Sequence, residues 1–223
     1  MHRLAIYTVG VIVALILVIT LIGTFSPRTI PVTENVSGSE ETVELLEEAE
    51  TIRTEEHLLA LGTWTVYADG AEVGTIKVHT LSFFRTYTFR NLDGDVISTY
   101  DEKMGVQAKR AELFDHEGQD MGKLHHPLAL TIYKLDIENP GDAPVGSIEY
   151  DFGLLSYNAT VKDTEWNDAW DVKVDVIRAT PATTLTRQND SVSAVQALWA
   201  GFHYEDWIQE MASSSNSNNN SNM

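Results

Sequence analysis

The chain has 223 residues, of which 43% are hydrophobic. That is enough for one sizeable folded domain with appendages and too little for two large ones. Fifteen Lys and Arg stand against 33 Asp and Glu, a net charge of −18 with a pI near 4.6, which excludes a nucleic-acid backbone or an anionic lipid headgroup as main partner because both need a cationic surface. The absence of cysteine excludes disulfides, thiolate catalysis and Cys-ligated zinc.

Leu4 to Phe25 carries no charge, and only threonines, glycines and one tyrosine interrupt its apolar run. As a helix it would cover roughly 33 Å, enough for a hydrocarbon core of about 30 Å. A cleaved signal peptide has a shorter apolar stretch and small residues before the cut. Gly23-Thr24-Phe25-Ser26 offers no clear site of that kind, so residues 1–25 are expected to form a transmembrane anchor. Arg3 and Arg28 flank the run almost symmetrically. A short tail before a large domain favours an inside amino terminus and an extracytoplasmic domain.

Residues 26–60 are expected to be a linker and a short acidic helix. Pro27, Pro31 and Gly38 punctuate the linker, and Val43, Leu46 and Ala49 recur at spacing three within Ser39 to Arg53. A spacer and a lid on the domain are both compatible with this helix; the spacer is the reading taken.

From Trp64 the hydrophobic period becomes two. Trp64–Tyr67, Thr75–His79, Tyr87–Arg90, Leu130–Leu135 and Trp170–Val176 alternate and are rich in β-branched and aromatic residues. Asp69-Gly70, Asp93-Gly94, Glu117-Gly118, Pro140-Gly141 and Asn167-Asp168 supply turns. Glycines 70, 94, 118 and 141 are spaced 24, 24 and 23 residues apart, with the next turn about 26 later. An apolar residue and glycine open the second strand in Val73-Gly74, Met121-Gly122 and Val145-Gly146. A unit of this length holds one hairpin and its connection. About ten to twelve such antiparallel strands would curl toward closure.

After Pro181 a polar loop is expected, then a helix capped near Asn189-Asp190-Ser191. Val192 to Phe202 is apolar almost all round, which requires burial on every side, and the interior of the curled sheet is the natural place for it. The barrel domain is thus expected over 61–211, and the Ser/Asn-rich stretch 212–223 is expected to be disordered. The predicted class is mainly β: a twelve-stranded antiparallel barrel-like sheet of hairpins around a buried carboxy-terminal helix, plus the transmembrane helix.

The hairpins Tyr67-x-Asp69-Gly70-x-x-Val73-Gly74-x-Ile76 and Tyr133…Val145-Gly146-x-Ile148, followed by the alanine-rich Ala194 to Ala200, resemble the tubby carboxy-terminal-like superfamily over roughly residues 60 to 210. That group includes the LURP-one-related proteins and the phospholipid scramblases. The resemblance implies a twelve-stranded barrel wrapped around a central carboxy-terminal helix. Its functions transfer poorly. Tubby proteins bind phosphoinositides through a basic patch, and here Lys109-Arg110 is the sole basic cluster. Scramblases place their apolar helix at the other end.

Asp163, Glu165, Asn167 and Asp168 offer oxygens at calcium-loop spacing, but the EF-hand pattern then needs Gly and Glu where Asp168 and Val174 stand. A looser calcium site with Asp136, Glu138 or Asp142 is the alternative to a solvated acidic hairpin tip, which is the reading taken. His116, His125 and His126 have poor geometry for one metal, because adjacent strand residues point to opposite faces. No nucleophile elbow, P-loop or dinucleotide motif occurs, so no catalytic residue and no cofactor are assigned. Trp166 and Trp170 suggest carbohydrate stacking or core and rim packing; packing is the reading taken, as it is for Trp199 and Trp207.

The functional expectation is a membrane-anchored, extracytoplasmic, non-enzymatic binding or structural module with a protein or envelope partner and no nucleic acid. An envelope enzyme using carboxylates and a scramblase-like lipid handler are the alternatives. The acidity suits either high salt or a basic partner. Stability rising steeply in molar salt, read from melting curves, supports the first.

Overall fold

The computed structural model describes residues 36–57, 60, 62–81, 84–104, 109–125, 134–152, 157–175 and 181–219. They belong to one unit, Val32–Met223. The predicted anchor, Leu4 to Phe25, and most of the linker lie outside the described residues, as do His126 and the first part of the predicted strand Leu130–Leu135. Among the described residues no helix is long and apolar enough to cross a membrane.

A short helix α1 (Val36–Glu48) precedes twelve strands: β1 (Thr51–Glu56), β2 (Thr63–Ala68), β3 (Ala71–Leu81), β4 (Phe84–Asn91), β5 (Val96–Met104), β6 (Lys109–Asp115), β7 (Asp120–His125), β8 (Lys134–Asn139), β9 (Ala143–Phe152), β10 (Tyr157–Asp163), β11 (Asp168–Asp175) and β12 (Ala182–Arg187). The helix α2 (Ala194–Asn219) ends the described chain. Each strand pairs antiparallel with its sequence neighbour, and β12 pairs with β1, so the sheet is a closed barrel without edges.

The hairpin repeat is more regular than the glycines alone indicate. Gly70, Gly94, Gly118, Asp142 and Trp166 all have positive φ, and these five positions are 24 residues apart. The β4–β5, β6–β7 and β10–β11 turns share one hydrogen-bond pattern. Asn91, Asp115 and Asp163 each donate N–H to the carbonyl four residues on and accept from the N–H three residues on. The fifth turn therefore spans Asp163–Asn167, rather than centring on Asn167-Asp168.

A register shift follows each turn, at Val73, Ile97, Met121, Val145 and Ala169, again every 24 residues. These bulges add local twist and bend that help a sheet curl shut. They explain the apolar-glycine pairs. A Cβ on Gly74, Gly122 or Gly146 would lie about 2 Å from a carbonyl oxygen of the next strand, on Arg90, Glu138 or Lys162 respectively.

Eight strands make a barrel that its own side chains fill, whereas twelve leave a lumen wide enough for a helix about 10 Å across. α2 occupies it. Ala194, Ala197, Leu198, Trp199, Ala200, His203 and Tyr204 are fully buried, and their partners come from all round the wall. Trp199 Nε1 donates to Ser98 Oγ (3.0 Å), and Phe202 packs on Trp64 and Tyr87. Tyr204 stacks on Tyr150 and donates to the Asn158 carbonyl (3.1 Å), while Gly201 faces Leu185.

Several sequence-based boundaries move. The barrel begins at Thr51, not at 61: Ile52 and Thr54 point inward, and β1 pairs on both sides. The expected polar loop after Pro181 is β12, whose Ala182, Thr183 and Leu185 are buried. α2 starts at Ala194, with Ser193 Oγ accepting the Gln196 N–H (3.2 Å), while Asn189 caps the preceding bend through Ser191. The Ser/Asn stretch expected to be disordered is helical as far as Asn219, since each residue added to a nucleated helix gains a backbone hydrogen bond.

α1 is a lid and not a spacer. Ser39 Oγ donates to the Val96 carbonyl (2.9 Å), and Asn91 Nδ2 donates to the Gly38 carbonyl (3.2 Å). Arg187 donates to the Leu46 and Ala49 carbonyls at the helix end, and its guanidinium lies 4.4 Å from the centre of the Trp170 ring. Both Glu47 oxygens accept the Ala194 N–H (2.9 and 3.0 Å), so a carboxylate from α1 caps the positive end of α2. Glu47→Ala is expected to cost about 1 kcal/mol in urea unfolding; an unchanged midpoint would show the cap to be idle.

Candidate binding site

The five bulged turns lie at one end of the barrel, where α1 crosses from the β4–β5 turn to the start of α2. Beneath α1 is a cleft of about 420 Å³, within the size range of small-ligand pockets. Val43 of the roofing helix α1, Ile97 and Met121 at two bulges, and Val195 of α2 give it an apolar lining. Glu40, Glu44 and Glu47 reach it from α1, and Asp115 and His116 from the β6–β7 turn.

The helical spacing of four and three residues puts the three glutamates on one face. Asp115 Oδ1 accepts the Glu117 and Gln119 N–H groups (2.9 and 2.8 Å), which fixes the turn. His116 is partly buried, and its Nε2 is shielded from the cleft with no protein hydrogen-bond partner.

A second polar group lies inside the barrel, toward the other end of α2. Glu205 is 1% exposed. Its carboxylate accepts from Trp64 Nε1 (3.2 Å), Thr183 Oγ1 (2.5 Å) and Gln209 Nε2 (3.1 Å). Burial pushes its pKa up to about 7, with the nearby Glu56 and Asp206 charges adding to the rise, against the hydrogen bonds from Thr183 and Trp64. Next to it Asp206 lies 3.3 Å from Arg85 and 3.5 Å from the Tyr87 hydroxyl, and His203 Nδ1 bonds to the buried Tyr100 hydroxyl. Burial raises the pKa of both tyrosines.

The calcium candidates are engaged locally. Asp163 Oδ1 accepts the Glu165 and Asn167 N–H groups (both 2.9 Å), as Asp115 does in its own turn. The Asn91 side chain fills the same role at the β4–β5 turn (2.8 Å to Asp95 N), so the turn needs an oxygen there and not a charge. Asp168 pairs with Lys162 (2.7 Å), Asp142 and Glu138 pair with Lys123 (2.5 and 3.0 Å), and Asp136 pairs with Lys134 (3.0 Å). Among the described residues no group of three or more His, Asp or Glu is placed to hold a metal ion. His116 sits at the turn and His125 at the far end of β7, so the strand keeps them apart.

The two tryptophans diverge. Trp170 is fully buried and donates to the Val192 carbonyl (3.1 Å). Trp166, expected to pack, is 60% exposed at a turn tip with φ 68°, its ring 5.2 Å from Lys134 Nζ. The turn geometry forces it outward.

Trp170→Ala is therefore expected to cost about 3–5 kcal/mol. In Trp166→Gly, relief of a left-handed conformation offsets lost cation–π contact and added chain entropy, leaving stability within about 0.5 kcal/mol. Comparable losses in urea titrations of the two variants would contradict this placement.

No family model matches the chain, and no curated protein matches it. Among solved structures, an X-ray structure of a protein from Arabidopsis thaliana is similar to it at 14% identity and a TM-score of 0.45, covering 75% of this chain and 98% of that one.

The cleft was not legible in the sequence. Its residues come from five separate elements and turns, and the helix that roofs it reads equally well as a spacer.

Proposed function

We propose that the protein is a non-enzymatic binding module of tubby-like architecture, held at a membrane by residues 4–25, with its domain outside the cytoplasm and its ligand site beneath α1. The observation that carries this reading is the division of space at the turn end. α2 fills the lumen, while the cleft under the lid combines an apolar lining with carboxylates from α1 and the β6–β7 turn. Twelve strands around a carboxy-terminal helix agree with the architecture that the hairpin motifs imply.

The test is native mass spectrometry of the full-length protein released from its own membranes. A bound small molecule should be present in the parent and lost from Met121→Trp, whose indole fills the cleft. Equal masses apart from the substitution would overturn the reading.

A second reading, an envelope enzyme using carboxylates, draws on Glu205, whose pKa near neutrality suits proton transfer. The binding reading is preferred because both Glu205 oxygens are hydrogen-bonded within the core.

A further inference from the structure

Resting on the reading of the domain as extracytoplasmic, we propose that Asn158 is a modification site: its side-chain amide carries an N-linked oligosaccharide on the outer wall of the barrel. The chain holds four sequons of the form Asn-x-Ser/Thr with no proline between. Two of them, Asn158-Ala159-Thr160 and Asn189-Asp190-Ser191, lie among the described residues with their surroundings, and the fold treats the two oppositely.

Asn158 and Thr160 stand on β10, where the alternation of a strand puts the first and third residues of the sequon on one face. That face is the outside. Ala159 between them is buried in the core, and Asn158 is exposed. Across the ladder Asn158 stands between Asp151 of β9 and Lys173 of β11, both exposed. A hydrophilic oligosaccharide on this wall therefore meets charged groups and water, and the packing inside the barrel is untouched. The site is also remote from the cleft. The strand between Asn158 and the turn at Asp163 covers roughly 17 Å, so a glycan attached there leaves the lid clear.

Asn189 is committed instead. Its Nδ2 donates to the Asp168 carbonyl (2.7 Å), and its Oδ1 accepts the Ser191 N–H (2.8 Å) and hydroxyl. These bonds close the bend that leads into α2 at the cleft end of the barrel. A sugar on that nitrogen would crowd the carbonyl it now contacts.

The donor is an oligosaccharide linked to a lipid phosphate. Nδ2 of Asn158 attacks the anomeric carbon, the carbon–oxygen bond to phosphate breaks, and the released lipid phosphate takes up the proton that Nδ2 gives up. Thr160 supplies the hydroxyl that the acceptor sequence requires.

The experiment uses the full-length protein in its own membranes. Intact cells are treated with a membrane-impermeant amine reagent, and the protein is then purified, digested and read by peptide mass spectrometry. A glycan is expected on the Asn158 peptide and none on the Asn189 peptide, with label on the exposed Lys77. Thr160→Val removes the hydroxyl from the outer wall and keeps a β-branched residue, and it should abolish the modification, whereas Thr160→Ser should retain it. Bare Asn158 in protein whose Lys77 is labelled overturns the glycosylation and leaves the extracytoplasmic placement standing. Bare Asn158 with Lys77 unlabelled overturns both.

Discussion

Gly146→Ala is expected to cost more than 4 kcal/mol in urea unfolding, or to prevent the barrel from closing. The new methyl would lie 2.0 Å from the Lys162 carbonyl oxygen and 3.1 Å from its carbon. These atoms belong to the β9–β10 ladder, where Gly146 pairs with Asp163 and Ser147 with Lys162. The atoms it meets are all backbone, not the end of a flexible side chain, so relief requires separating hydrogen-bonded strands. Gly141→Ala is the matched control. Its φ of +82° is strained for alanine, but nothing lies within 4 Å of the added methyl, so its cost should stay near 1–2 kcal/mol. If the two substitutions proved equally mild, the close approach at the bulges would be refuted, and with it the account of why the apolar-glycine pairs repeat.

The second large effect is a pH dependence centred on Glu205. Its pKa rises from an ordinary 4.5 to about 7 in the folded protein, chiefly through burial. Between these values the folded state holds a proton that the unfolded chain has released. Stability therefore falls as pH rises through this window and levels off above it. The stabilisation lost is about 3 kcal/mol.

Glu205→Gln keeps an oxygen acceptor for Trp64, presents an NH2 group that the Thr183 hydroxyl can accept from, and removes the charge. It should be more stable than the parent at pH 8 by up to about that amount, and nearly equal to it at pH 4.5. Chemical denaturation of both proteins at the two pH values decides the matter. A parallel pH profile in the variant would assign the titration elsewhere, and a variant less stable at pH 8 would mean that the ionised carboxylate is favoured in its site.

The repeat shows how far local chemistry reaches. Gly70, Gly94 and Gly118 expose the period because a left-handed turn position prefers glycine. The same position is Asp142 and Trp166 in the last two hairpins, so the glycine spacing drifts although the structure does not. β1 and β12 were missed for another reason. Thr51-Ile-Arg-Thr-Glu-Glu has one aliphatic residue, and Ala182-Thr-Thr-Leu-Thr-Arg is mostly threonine; neither carries a strong period of two. They are strands because each finds a partner on both sides, closing the ring.

Charge and burial at the candidate sites divide in the same way. The solvated acidic tip at Asp163 is visible in the sequence as a run of polar residues around a turn, and its local hydrogen bonds need nothing from elsewhere. The outward display of Trp166 depends on which residue of that turn falls at the left-handed position, and composition does not specify this.

By itself the sequence determined the hairpin periodicity, the burial of Val192 to Phe202 and the acidity of the surface. Each follows from the spacing or solvation of residues close together in the chain. The tertiary structure alone decided that α1 roofs the turn end, that Glu47 caps α2, that Glu205 shares a core with Trp64 and Thr183, and that His116 Nε2 is buried without a protein partner. These depend on which atoms meet after the sheet has closed, and side chains far apart in sequence carry no local mark of the neighbours that closure will give them.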